Sequence, residues 1–153
     1  MPHTYSSLLF HCVFSTRERQ KSIAPEIQSR LWAYMGGIAR EHQMKALAAG
    51  GTEDHAHLLL SLPPTISIST AMREIKSGSS RWMHETANLP QFRWQEAYGA
   101  FSIGQALIET TVAYIANQNE HHRKQDFQTE FLSFLKKHHI EHDPTFIRGL
   151  PRL

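Results

Sequence analysis

One cysteine, Cys12, stands alone among 153 residues. No disulfide can form within the chain, and a reducing, cytoplasmic setting is expected. No apolar run approaches the ~18 residues that a membrane-spanning helix needs. The first residues lack a basic region followed by an apolar one, so no secretory leader is expected either. Internal repeats and low-complexity segments are missing. Strong charge of one sign is missing too, since the formal net charge is +2. The cations are nonetheless clustered: Arg17, Arg19 and Lys21 early, Arg73, Lys76 and Arg81 in the middle, and His121, His122, Arg123 and Lys124 late. Such clusters suit a phosphate backbone, with solvated surface charge as the alternative. Apolar residues make up 41% and charged residues 20%, ordinary for a globular chain, so residues 1–153 read as one domain with a real core.

Histidine is what the chain has in abundance, with 11. Residues 54–60 read Asp-His-Ala-His-Leu-Leu-Leu. On an extended strand, side chains two apart share a face. His55 and His57 therefore project together, and paired imidazoles can hold a divalent metal. Ala56, Leu58, Leu60 and Leu62 fall on the opposite face, which is wholly apolar. At this histidine density roughly one His-x-His is expected by accident. From the strand alone, two polar histidines on a half-exposed sheet remain the alternative to a metal pair.

The rest of the chain alternates strand and helix signals. Residues 5–14 read as a buried strand, with Leu8, Phe10, Cys12 and Phe14 on one face and Leu9, His11 and Val13 on the other. Pro25 opens a helix to about Glu41, with Ile27, Leu31, Tyr34, Met35 and Ile38 at helical spacing. Residues 44–50 make a second strand. The His-Ala-His strand follows, ended by Pro63-Pro64. Ser67 or Ser69 caps a helix to about Glu85. Trp94–Phe101 reads as a fourth strand, followed by helices over 104–122 and 127–139. This β-α-β-β-α-β order predicts an α+β, ferredoxin-like fold, the split βαβ shared with RRM domains. Its antiparallel sheet carries two helices on one face. The histidines should lie on the other, open face, left for a ligand, a partner or the additional C-terminal helices.

The helix over 104–122 carries Tyr114-Ile-Ala-Asn-Gln118. Residues four apart stack on one side of a helix, so Tyr114 and Gln118 present together and His121 continues that side. Ile108, Val112 and Ile115 form the expected core stripe, which leaves Tyr114 off its centre. One reading is a boundary tyrosine with a wet hydroxyl. The other joins it to the histidines. A phenol is ionised in only about one molecule in a thousand at pH 7, a gap of about 4 kcal/mol. A divalent metal held by His55, His57 and the Gln118 carbonyl would polarise a phosphate under attack by Tyr114. Such an attack gives a covalent intermediate that conserves the energy of the broken bond.

Four segments then occur in order: Glu53-Asp-His-Ala-His-Leu-Leu-Leu-Ser-Leu-Pro-Pro64, Ile75-Lys-Ser-Gly-Ser-Ser-Arg-Trp82, Trp94-Gln-Glu-Ala-Tyr-Gly-Ala-Phe101 and Tyr114-Ile-Ala-Asn-Gln-Asn-Glu-His-His-Arg123. Together they resemble the HUH single-tyrosine transposases of the insertion sequence 200/605 group, over nearly the whole chain. The resemblance implies metal ligation by His55, His57 and Gln118, with Mg²⁺ or Mn²⁺ as the ion. It implies Tyr114 as a nucleophile that cleaves and rejoins single-stranded DNA through a 5′-phosphotyrosine link. It further implies hairpin DNA ends as partner, and a homodimer that combines the histidines of one subunit with the tyrosine helix of the other. His121 and His122 are competing ligands beside Gln118. Arg17, Arg73, Lys76 and Arg81 are candidate DNA-backbone contacts. Trp82 and Trp94 are candidate stacking residues, with core packing as the alternative. A domesticated relative that binds hairpin DNA without cutting it is the alternative function. A metal-dependent hydrolase with a water nucleophile is a third.

Overall fold

The structure is a computed structural model that describes residues 4–120 and 125–142. Its elements are β1 (Leu9–Ser15), α1 (Pro25–Glu41), β2 (Lys45–Gly51), β3 (His55–Ser61), α2 (Ile68–Glu85), β4 (Gly99–Ile103), α3 (Ile108–Ala116) and α4 (Phe127–Lys137). Local signals explain their limits. Pro25 occupies the first turn of α1. Ser67 Oγ accepts the Thr70 N–H at 3.1 Å and caps α2. Asp126 Oδ1 accepts the Thr129 N–H at 2.9 Å and caps α4.

The strands lie in the order β2-β3-β1-β4, each pair antiparallel, as the split βαβ order requires. The leucine face of β3 meets α1 and α2. Cys12, Phe14, Ala56, Leu58 and Leu60 pack there with Leu31, Met35, Met72 and Ile75. Each fully buried leucine stabilises the fold by about 2 kcal/mol. Cys12 is buried in this layer, and burial pushes its thiol up to about 12.

One expectation changes. The fourth strand is Gly99–Ile103 and not Trp94–Phe101. Trp94 keeps one isolated bridge to Thr16. Lys76 Nζ donates to the carbonyls of Gln95, Glu96 and Ala97 at 2.5, 3.0 and 3.2 Å, and so takes acceptors that a ladder would use. Of the occupants expected for the histidine face, the C-terminal helices take it: α3 and α4 of the same chain cover it. A second cluster of Val13, Phe101, Phe127, Phe131 and Leu135 seals α4 onto that face.

Gly50 sets how closely α3 can lie. It pairs with His57 across the β2–β3 ladder. A Cβ at Gly50 would stand 2.6 Å from the Ile115 carbonyl oxygen, so a side chain there must push α3 away. Replacing Gly50 by Ala is expected to cost about 1–3 kcal/mol by overpacking, read as a lower urea midpoint with an unchanged slope. An unchanged midpoint would show that α3 is not seated by this contact.

Candidate metal and tyrosine centre

β3 points His55 and His57 away from the leucine core, and both are completely buried under α3 and α4. His11 joins them from β1. It pairs with Leu59 and is therefore the diagonal neighbour of His57 on the same face. His11 Nε2 lies 2.8 Å from His57 Nδ1. Burial, then the neighbouring His57, pulls the His11 pKa down to about 3, so His11 stays neutral at ordinary pH. On the other side, His55 Nδ1 faces Asp54 Oδ1 at 2.8 Å and Thr52 Oγ1 at 2.9 Å. Burial alone would raise the Asp54 carboxyl, but its hydrogen bonds to His55 and Thr52 outweigh that and hold it below its ordinary value. Both Nδ1 atoms are thus engaged, which turns both Nε2 atoms toward one point.

At that point stand Gln118 and Glu130. Gln118 Oε1 is 3.0 Å from His55 Nε2. Glu130 Oε1 is 3.1 Å from His57 Nε2 and 3.8 Å from His55 Nε2. Gln118 and Glu130 are each 1% exposed. Ligands about 2.1 Å from one cation sit about 3.0–3.4 Å apart at octahedral or tetrahedral angles. The 3.0 and 3.1 Å separations fit that spacing, and the 3.8 Å separation of His55 Nε2 from Glu130 is wider than it. If His57 donates from Nδ1 to His11, its Nε2 lone pair faces a carboxylate oxygen, and two acceptors at 3.1 Å need a proton or a cation between them. His55, His57 and Glu130 form a buried triad able to hold a metal ion.

Tyr114 completes the centre, its hydroxyl donating to Glu130 Oε2. Burial first, then the Glu130 carboxylate, raises the phenol pKa above its ordinary value. The ring stands edge-on to both His57 and His11. The helix that carries it differs from expectation. Its buried residues are Thr111 and Ile115, whereas Val112 is only partly buried. α3 stops at Ala116, with Asn117 as its non-helical cap. Gln118 still returns to the site, and its Nε2 donates to the Tyr114 carbonyl at 3.2 Å. His121 and His122 lie outside the described residues.

The other candidates lie elsewhere. Arg73, Lys76 and Arg81 are on α2, across the sheet from the histidines. Arg73 and Arg81 are exposed, while Lys76 is spent on three carbonyls. Burial draws its ammonium down to about 8. Arg17 is exposed in the 3₁₀ turn after β1. Trp94 is a core residue donating to Ser79 Oγ at 2.9 Å. Trp82 is half-buried between α1 and α2, stacked with Tyr34 and under Arg30.

Three groups at the centre were not assigned a role by the sequence: His11, Asp54 and Glu130. Glu130 left a signal. It sits three residues after Phe127 and four before Phe134, inside the apolar stripe of α4. An acid on that stripe must have a buried partner.

A family described as "Transposase IS200 like" matches residues 4–118. The chain belongs to the IS200-like transposase family. Two relatives, from Salmonella typhimurium and Salmonella typhi, are each described as the transposase for insertion sequence element IS200. Each is 24% identical over 139 residues, covering 87% of this chain and 88% of the relative. Among solved structures, a transposase from Deinococcus radiodurans superposes with a TM-score of 0.61 at 21% identity, over 77% of this chain and 95% of the other. A REP-associated tyrosine transposase bound to a REP hairpin gives 0.58 at 18% identity, over 80% and 73%. At these identities the two structures carry the fold alone. For this IS200-like chain, the α+β sheet is therefore the family's scaffold.

Two outcomes follow from the geometry. Lys76→Met should lower stability by about 2 kcal/mol, since it removes charged hydrogen bonds to three carbonyls, and should leave DNA affinity within about twofold. Paired urea unfolding and fluorescence anisotropy check this; a large affinity loss at full stability would return Lys76 to the DNA surface. Glu130→Gln should lower the Tyr114 pKa, because the anion that opposes ionisation is gone. An absorbance titration of the metal-free protein at the phenolate band should show one tyrosine ionising earlier, and an unshifted curve would remove Glu130 as its neighbour.

Proposed function

We propose that this IS200-like transposase cleaves and rejoins single-stranded DNA through a 5′-phosphotyrosine intermediate on Tyr114, with a divalent metal, Mg²⁺ or Mn²⁺, held by His55 and His57. The observation that carries the reading is the sharing of Glu130: one buried carboxylate meets both the Tyr114 hydroxyl and the two Nε2 atoms. Glu130 and the Gln118 carbonyl oxygen are the remaining oxygen donors in reach. When bound, the metal would polarise the phosphodiester and offset charge that develops on its oxygens.

The chain's own residues supply the rest. His11 and Asp54 fix the orientation of the two imidazoles through their Nδ1 atoms. Tyr114 is held as a phenol, so its proton must leave as its oxygen bonds to phosphorus. The hydrogen bond to Glu130 Oε2 gives that proton an acceptor already in place. The new bond joins Tyr114 Oη to phosphorus, and the broken bond releases a 3′-hydroxyl that keeps the electron pair and takes up a proton. Rejoining reverses these roles. Hairpin-bearing single strands are the expected substrate, and the cytoplasm the expected setting. Among the described residues no helix is long and apolar enough to cross a membrane.

A homodimer with shared sites belongs to the same reading. In the chain described, Tyr114 and Gln118 reach the histidines of their own chain. Exchange of that segment between copies would first break the contacts to Glu130 and His55. The burial of His55, His57, Gln118 and Glu130 favours a second reading, a relative that binds DNA without cutting it.

A metal-dependent, SDS-resistant adduct with single-stranded DNA from the flanks of the element separates the two. The wild type should form it with Mn²⁺ and lose it with chelator, and Tyr114→Phe should abolish it. An adduct that survives in Tyr114→Phe would move the nucleophile elsewhere, and binding without any adduct would leave the second reading.

A further inference from the structure

A cavity of about 370 Å³ opens beside Tyr114, between α3 and α4 and against the end of β4. Its inner end is formed by Tyr114, Glu130 and His11, and its outer part by Thr110, Phe134 and Lys137. This volume is at the low end for small-ligand sites, about 300–1,000 Å³. It admits one nucleotide and not a stacked, paired duplex. Charge favours a phosphate there. Glu130 is the one acid among the described residues that line the cavity, and it is already bonded to Tyr114 and His57. Lys137, in the last turn of α4, is the cation of the lining, while burial and then the neighbouring Lys137 hold His138 below its ordinary pKa. The half-buried Phe134 ring, stacked on Phe101 and edge-on to His11 and Tyr114, leaves its remaining rim to a base, and Thr110 offers a hydroxyl. A second cavity near His55, about 460 Å³, holds Arg19 and Lys21 but also Glu53, Asp54 and Asp126, whose carboxylates repel a phosphate.

We infer that the cavity between α3 and α4 is a subsite for one unpaired nucleotide next to the phosphate attacked by Tyr114, with that nucleotide's outer phosphate on Lys137 and its base against Phe134. The inference rests on the strand-transfer reading and adds a recognition element to it. Preference for single strands then originates in the cavity: a base must leave its stack to enter.

The probe is a fluorescein-labelled oligothymidylate of about 20 nucleotides, and a version carrying 4-thiothymine for photocrosslinking. Lys137→Glu should weaken binding about tenfold. Lys137→Ala should flatten the salt dependence by about 0.7 in the slope of log K against log salt, as loss of one single-strand phosphate contact requires. Thr110→Trp, which fills the cavity from the exposed side of α3, should weaken binding at least tenfold while Mn²⁺ affinity is kept. Crosslinks should map to Phe134 or to neighbouring residues of α3 and α4. Wild-type affinity in Lys137→Glu, or crosslinks confined to α1 and α2, overturns the subsite. Should Thr110→Trp fail to fold, the exposed Lys137 variants carry the test. The two readings fail separately. A wild type that forms no adduct but shows the expected binding pattern loses strand transfer and keeps the subsite. Normal adducts with unchanged binding in the variants do the reverse.

Discussion

A carboxylate sealed among aromatic rings persists only if its charge is answered, and Glu130 imposes that condition on the whole histidine face. Removing such an ion from water costs several kcal/mol even after relaxation. Glu130 meets the cost with Tyr114 on one oxygen and the His57 and His55 Nε2 atoms on the other. Each of those groups is in turn held from behind: His57 by His11, His55 by Asp54 and Thr52. The site is thus a chain of obligations that runs from one strand to the next. Remove the central acid, and Tyr114 and His57 each lose a close polar partner while His55 loses a charged neighbour.

The sheet makes this network a by-product of folding. Strand side chains alternate, so the register that puts Ala56, Leu58 and Leu60 under α1 and α2 also sends His55 and His57 the other way. A one-residue slip of β3 would bury imidazoles among methionines and leave leucines facing Glu130. The energy of the apolar core therefore enforces the geometry of the polar centre, and neither layer forms correctly without the other.

Much of this was legible in the sequence. The split βαβ order, the partition of β3 into an apolar and a histidine face, the Ser67 cap and the presence of Tyr114 and Gln118 on one side of their segment all follow from local patterning. What was not legible depends on pairings distant in sequence. The place of His11 at His57 needs the β1–β3 register, which no local period encodes. The shift of the fourth strand from Trp94 to Gly99 depends on Lys76, a residue that reads as surface charge until its carbonyl partners are known. The covering of the histidine face by α4 was left open because the stripe of Phe127, Phe131 and Leu135 says only that something must be covered. Glu130 within that stripe was the strongest unused clue.

Gly50 has a consequence for how this centre tolerates change. The contact that seats α3 sets a strand glycine against Ile115, whose carbonyl oxygen and Cγ2 would stand 2.6 and 3.0 Å from a Cβ there. The spacing between sheet and helix is therefore gauged by the bare main chain of the strand against a single residue of α3. Substitutions along the exposed side of α3 can alter what the helix presents to its surroundings and still leave Gln118 at its distance from His55.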